Sequence, residues 1–340
     1  MSYNIALNFE DGVTRFIICN EGETVLDAAY RNQINLPMDC SDGVCGTCKG
    51  TCQQGDYDLG DEYIEDALTD DEAEQGMILT CQMVPSSDCV VQIPAASTLC
   101  KTGNQNFTGT VAEVNLVSAT AIELKITADQ DVAFLAGQYV NIQVPDSNES
   151  RAYSFSSAPG SRDLSFLIRN VPGGLMSSWL VGQAKTGDQL SLAGPMGIFY
   201  LRPVTRPLLM LAGGTGLAPF LAMLEQLKAS GCEQPVHLIY GVTNNEDLVA
   251  MQALEAFAAA IDNFTFKTVV ADPQSGHPRT GYVNNHMEDA PLNDGDVDVY
   301  LCGPPPMVDA VLGFFREEGI QPASFHYERF TASTVAGEAA

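Results

Sequence analysis

The chain has 340 residues, 45% hydrophobic and 17% charged, which is the composition of a folded globular protein long enough for two or three domains and not that of a disordered chain. Sixteen basic side chains against 43 acidic ones give a formal charge of −27, which argues against nucleic acid or an anionic membrane as a partner. No apolar run approaches the roughly 18 residues that cross a bilayer, and Met1-Ser2-Tyr3-Asn4 opens neither a basic n-region nor an apolar h-region, so a soluble cytoplasmic protein is expected.

Residues 3–9 alternate, Asp11-Gly12 offers a turn, and Thr14 to Cys19 is β-branched and aromatic, which predicts a hairpin. Thr24 is the N-cap of a short helix over 25–32 that delivers the chain to Cys40-Ser41-Asp42-Gly43-Val44-Cys45-Gly46-Thr47-Cys48. The C-x4-C-x2-C spacing, completed by the distant Cys81, is the plant-type arrangement for a [2Fe–2S] cluster, with Cys40, Cys45, Cys48 and Cys81 as metal ligands. Gly43 and Gly46 allow the loop to curl around such a group. Structural zinc would want a second C-x2-4-C knuckle, which Cys81 lacks. A disulfide scaffold does not suit scattered cysteines without a secretory signal. A Rieske centre needs paired histidines, whereas His237, His277, His286 and His326 lie far downstream.

Cys81 falls in Ile78-Leu79-Thr80-Cys81-Gln82, which reads as strand. A few strands and one crossing helix over 1–98 imply a β-grasp-like α+β domain. The first 100 residues of the chain hold 18 acidic and three basic side chains, densest from Asp56 to Glu74. That stretch reads either as a solvated face or as a field steering a basic redox partner. The small, polar stretch from Ala95 to Asn106 reads as a linker, set at 99–106.

From Phe107 the texture is short strands between turns, over 109–111, 121–126, 139–144, 164–168 and 189–192, with one helix, Leu175 to Gly182. This pattern predicts an antiparallel barrel or sandwich over 107–206. Beyond Pro207, apolar strands at 208–212, 236–240, 264–270 and 297–301 alternate with helices at 219–230, 248–260 and 307–318, which predicts an α/β doubly wound parallel sheet over 207–340.

Gly213-Gly214-Thr215-Gly216 follows a strand and opens a helix, where bare amides can meet a pyrophosphate, although a generic tight turn explains it as well. Pro219 in the first helical turn fits either reading. A second strand-end turn, Cys302-Gly303-Pro304, would open on the same carboxyl edge. In the barrel segment Arg151-Ala152-Tyr153-Ser154 sets a guanidinium, a ring and a hydroxyl on one extended run, suited to an aromatic cofactor bearing phosphate or simply to a surface strand. Gly173-Gly174 then opens a helix carrying Ser177, a second candidate phosphate cradle.

Taken together, Arg151-x-Tyr153-Ser154, Gly174-x-x-Ser177, Gly213-Gly214-Thr215-Gly216 and Cys302-Gly303-Pro304 resemble the ferredoxin–NADP reductase superfamily of flavoproteins, here behind an N-terminal plant-type ferredoxin domain. That layout is similar to the reductase components that feed aromatic-ring oxygenases. The resemblance implies FAD, NADH and a [2Fe–2S] cluster as cofactors, and a Rieske-type terminal oxygenase as partner. It implies that Arg151 holds the flavin phosphates, Tyr153 lies against the flavin and Ser154 sits near flavin N5. Gly174 and Ser177 would cradle the FAD pyrophosphate, and Cys302 would approach the nicotinamide. The end motif Tyr327-Glu328-Arg329-Phe330 would place Phe330 by the flavin and Glu328 beside the hydride path. Ten residues, Thr331 to Ala340, extend past that motif.

Residues 241–247 carry no Arg or Lys to meet a 2′-phosphate, which favours NADH over NADPH, while Glu246 and Asp247 read equally as helix N-terminal acids. The expected sequence of events is hydride transfer from NADH to FAD, then single-electron steps to the cluster and onward to an oxygenase. Ser154, Glu328 and Cys302 would position and tune, with an inert buried thiol an equal reading of Cys302. Cys19, Cys52, Cys89, Cys100 and Cys232 read as structural. A soluble monooxygenase as client, or a non-catalytic nucleotide-binding redox sensor, are the alternative functions.

Overall fold

The computed structural model describes residues 2–330 except Gln33, 39–42, Val44, Cys45, Glu62, Asp66, Leu99 and 101–104, and no side chain at Gln105 or Asp289. The chain divides into two compact units, residues 1–104 with 196–198, and 105–195 with 199–340.

In the first unit β1 (Ser2–Phe9) and β2 (Thr14–Asn20) form the expected hairpin. They join β3 (Lys49–Gln54), β5 (Met77–Leu79) and β7 (Cys89–Ile93) in a sheet of order β2-β1-β7-β3-β5, with β4 (Tyr57–Asp58) and β6 (Val84–Pro85) as a separate two-residue ladder. Helix α1 (Val25–Arg31) buries Val25, Leu26, Ala28 and Ala29, and Thr24 caps it by accepting from Asp27 N. Helix α2 (Asp70–Glu74) starts on a Thr69/Glu72 capping box.

Two readings are corrected here. Cys81 is not on a strand: β5 ends at Leu79, and Gln82 N and Met83 N both donate to Leu79 O, so Thr80-Cys81-Gln82 form a tight turn. Nor is the segment after Ile93 a free linker. Ala95, Ser97 and Cys100 are buried, both Ser97 N and Ser97 Oγ donate to Asp11 Oδ2, and Asn35 N donates to Cys100 O. Gln105 and Asn106 already belong to the next strand.

The second unit opens with a six-stranded antiparallel sheet of β8 (Gln105–Ser118), β9 (Ala121–Val132), β10 (Tyr139–Gln143), β11 (Ser150–Ser154), β12 (Ser161–Arg169) and β13 (Gln189–Met196), in the order β11-β10-β13-β8-β9-β12. The two edges meet through a Phe155–Phe166 bridge and Ser156 N donating to Ser165 O at 2.8 Å, which draws the sheet round into a barrel. Helix α3 (Leu175–Gly182) is the helix expected there.

The nucleotide-type sheet is all parallel, β16-β15-β14-β17-β18, built of β14 (Leu208–Gly213), β15 (Val236–Val242), β16 (Phe264–Val270), β17 (Asp298–Gly303) and β18 (Ser324–Arg329). It is interleaved with α4 (Ala218–Ser230), α5 (Met251–Ala260), the short α6 (Asp289–Leu292) and α7 (Pro305–Glu317). Every residue of β14 and β17 is buried, as two-sided coverage requires of central parallel strands. The strand order reverses beside β14, which puts the switch-point crevice between its end and that of β17.

One apolar core runs from the barrel into this sheet, with Phe199 meeting Phe220 and Tyr300 edge-on at 5.8 Å each. Tyr300 Oη accepts from Arg202 N at 3.0 Å, and the His326 ring lies 4.8 Å from that of Tyr300. Burial, reinforced by the Arg202 charge and opposed by Asp298, lowers the His326 pKa from 6.5 to about 4. The unfolded chain therefore takes up a proton near pH 6.5 that the folded chain refuses until about pH 4, so stability falls across that window as pH drops. His326→Gln should remove about 2 kcal/mol of the stability lost between pH 7 and pH 5, measured as the difference between wild-type and variant urea midpoints at the two pH values.

Candidate active site and iron–sulfur centre

Of the four thiols predicted to bind iron, Cys40 and Cys45 lie outside the described residues. Cys48 and Cys81 are buried and their Sγ atoms are 3.3 Å apart. Thr80 N donates to Cys48 O at 3.0 Å, tying the two ligand segments together, and Lys49 is ion-paired to Glu72 at 2.7 Å immediately after Cys48. Gly43 has φ +72°, and a Cβ there would lie 2.8 Å from Tyr63 Cβ, so only glycine lets the loop pass this close. Two soft, buried, converging sulfurs on a tightened loop suit an iron–sulfur group.

The acidic stretch divides by role. Glu72 is consumed by its helix cap and Lys49, whereas Asp56, Asp58, Asp61, Glu65, Asp70, Asp71 and Glu74 are exposed. Among the cysteines read as structural, burial pushes Cys19 and Cys89 up to about 11 and Cys100 up to about 12.

In the barrel, Arg151 and Tyr153 are half-buried and Ser154 is buried, the alternation expected of a strand. Arg151 Nη1 meets Glu149 Oε2 at 3.0 Å and Ser150 O at 2.8 Å. Desolvation raises the Tyr153 pKa, so its phenol stays neutral. Gly174 is the N-cap of α3 and provides no side-chain cap, leaving first-turn amides for a ligand. The Ser177 hydroxyl shapes the turn, accepting from Val171 N at 2.9 Å and donating to Arg169 O at 3.2 Å. Ser177→Ala should cost about 1–3 kcal/mol by stranding these backbone groups and should weaken FAD retention, checked by thermal melting and by FAD content after gel filtration.

At the carboxyl edge of the parallel sheet, Gly213-Gly214-Thr215-Gly216 leads into α4 through a 3-10 turn with no side-chain cap. It faces Cys302-Gly303-Pro304, whose Pro304 is the N-cap of α7. A Cβ on Gly216 would lie 2.4 Å from Cys302 O, and one on Gly213 would lie 2.3 Å from Met307 Sδ. The glycines are thus what lets the two turns approach, and Met307, which no local pattern singles out, fills the space they leave.

Cys302 is fully buried and pairs with Glu328 across β17 and β18. Burial, then the Glu328 charge, pushes its thiol well above the usual range, so it is a neutral group. Ser154 Oγ donates to Glu328 Oε2 at 3.4 Å, and Phe330 N donates to Gly303 O at 2.9 Å while its ring packs on the core. Ser154, Cys302, Glu328 and Phe330, scattered over 177 positions of sequence, therefore meet at one place. Asp247, by contrast, is engaged structurally, accepting from Asn244 N and from Thr120 Oγ1.

Residues 8–86 match a 2Fe-2S iron-sulfur cluster binding domain, 109–200 an oxidoreductase FAD-binding domain and 210–312 an oxidoreductase NAD-binding domain. The chain is 58% identical over 335 residues to the toluate 1,2-dioxygenase electron transfer component of Pseudomonas putida, covering 98% of this chain and 100% of the relative. It is 47% identical to the 2-halobenzoate 1,2-dioxygenase electron transfer component of Burkholderia cepacia, with 98% and 99% covered. The chain belongs to this family of dioxygenase electron transfer components. Among solved structures, Amycolatopsis cytochrome P450 reductase GcoB superposes with a TM-score of 0.73 at 30% identity, over 96% of this chain and 99% of that one. The family carries electrons from NADH through FAD and a [2Fe–2S] cluster, and the three matched segments account for those three groups. Among the described residues no helix is long and apolar enough to cross a membrane.

Proposed function

We propose that this chain delivers electrons from NADH to the Rieske-type terminal oxygenase of a benzoate-type aromatic 1,2-dioxygenase. The observation that carries the reading is the meeting of Ser154, Cys302, Glu328 and Phe330 beside two glycine turns, in a chain that also brings Cys48 to Cys81. The two relatives above are named for dioxygenases of aromatic ring acids, which supports the same substrate class here. Residues 1–98 serve as the cluster domain, 107–206 as the FAD barrel and 207–340 as the NAD domain.

When bound, FAD supplies conversion of a two-electron input into single-electron output, and the cluster supplies the one-electron exit. Arg151 brings positive charge to the flavin phosphates, Tyr153 an apolar face and the α3 amides a pyrophosphate seat. Ser154 and Glu328 hold each other in place where the two rings would meet. Cys302, buried and neutral, would lie beneath the nicotinamide seat beside Glu328, and Phe330 would shield that seat from water. Gly213, Gly214, Thr215, Gly216, Gly303 and Pro304 form the seat for the dinucleotide, Cys40, Cys45, Cys48 and Cys81 that for iron. The absence of Arg or Lys over 241–247 favours NADH.

Purified protein mixed with NADH, benzoate and a purified Rieske-type oxygenase should form the cis-diol in step with NADH consumption. Transfer only to the hydroxylase of a soluble monooxygenase would reassign the client. No NADH oxidation even with an artificial acceptor would instead favour a nucleotide-binding sensor.

A further inference from the structure

We propose that Thr80, assisted by Gln82, hydrogen-bonds sulfur at the iron centre and thereby sets its reduction potential, an inference that rests on reading Cys48 and Cys81 as iron ligands. Thr80 is 1% exposed, and among the described residues its Oγ1 has no hydrogen-bond partner. Its main chain is held from both sides, N–H to Cys48 O at 3.0 Å and carbonyl from Leu26 N at 2.9 Å. The hydroxyl therefore cannot swing out to water. A buried hydroxyl left unpaired costs about 1–3 kcal/mol, and native proteins rarely tolerate one without a reason. Neither Cys48 Sγ nor Cys81 Sγ accepts from this hydroxyl, so at a position that directly precedes Cys81 and whose amide is bonded to Cys48 O the acceptor left is the inorganic sulfide that the cluster would supply, which is electron-rich and accepts O–H and N–H donors.

Gln82 strengthens the case from the other side of Cys81. Its Nε2 lies 3.7 Å from Cys81 Sγ, within reach for a sulfur acceptor. A Cβ on Gly43 would lie 3.2 Å from Gln82 Cδ, so the glycine that lets the loop curl also leaves room for this amide beside the ligand. The turn that replaces the expected strand at 80–82 is what brings both flanking side chains into play; in a strand they would share the face opposite to Cys81. Donors to sulfur favour the form carrying the extra electron, so each raises the potential, and its removal lowers it.

The test is a dye-mediated redox titration of the full-length protein with its flavin and cluster bound, followed by electron paramagnetic resonance, with pulsed measurement of deuteron couplings after exchange into D2O. Thr80→Val, which keeps the shape and deletes the hydroxyl, should lower the midpoint potential and remove one exchangeable-deuteron coupling. Thr80→Ser should keep both, and Gln82→Leu should lower the potential with the Thr80 coupling intact. If Thr80→Val does not take up the cluster, Thr80→Ala deletes the same donor and carries the same expectation. A wild-type potential and wild-type couplings in the hydroxyl-free variant would show that Thr80 only packs, and would overturn the inference. Unchanged cluster spectra in Cys81→Ser would instead overturn the ligand reading beneath it.

Discussion

Cys48→Ser should abolish NADH-driven reduction of cytochrome c while leaving NADH reduction of the bound flavin unchanged. Cys48 is buried at 3.3 Å from Cys81 Sγ, and its carbonyl anchors the Thr80 turn that carries the second ligand. Serine keeps that carbonyl but replaces a soft thiolate by a hard hydroxyl, a poor partner for an iron–sulfur group. The flavin and nucleotide segments lie in the other unit and have their own continuous core, so their chemistry does not depend on this sulfur. Steady-state cytochrome c assays and anaerobic stopped-flow absorbance at the flavin band separate the two steps. Equal loss of both in folded protein would mean that the order of transfer is wrong.

Gly216→Ala is expected to be the most damaging single methyl in the nucleotide half. The added carbon would sit 2.4 Å from Cys302 O and 2.7 Å from Cys302 C, and neither is a flexible side-chain end that could yield. The β14 and β17 turns must then separate, moving the seat for the dinucleotide relative to Cys302 and Glu328. A displacement of that order costs about a hundredfold in kcat/KM for NADH, together with about 1–3 kcal/mol of stability from overpacking. FAD content should be retained, because α3 and Arg151 are untouched. NADH kinetics with an artificial acceptor, set beside flavin content and a melting curve, checks each part.

Local chemistry was legible in the sequence wherever the cause was local. Thr24 and the helix it caps, the whole of α3, and the hairpin through Asp11-Gly12 follow from propensity and turn chemistry within a few residues. The end of β5 was not legible, because Ile78-Leu79-Thr80 has a strand's composition while two backbone bonds to Leu79 O fold the next residues into a turn. Ala95 to Cys100 looks like linker because its residues are small, yet Asp11, 86 positions away, holds Ser97. Helix α5 starts at Met251 instead of Leu248 because the Asn244/Asp247 capping box closes its own short turn and Ala250 adopts φ +56°.

The candidate site divides in the same way. Its glycine turns and cysteine spacing were visible as motifs, because phosphate and iron chemistry demand fixed local patterns. The parts supplied by tertiary meeting were not. Met307 against Gly213 and Gly303, the Ser177 hydroxyl turned back onto Arg169 and Val171, and the orphaned hydroxyl of Thr80 all depend on elements that only folding brings together.

The measurement that tests the central claim most directly is an anaerobic stopped-flow experiment in which NADH is mixed with native and with flavin-depleted protein. In the native protein the flavin band should bleach first and the cluster bands afterwards. In the flavin-depleted protein the cluster should stay oxidised over the same period. Reduction of the cluster by NADH at the native rate without flavin would contradict the account.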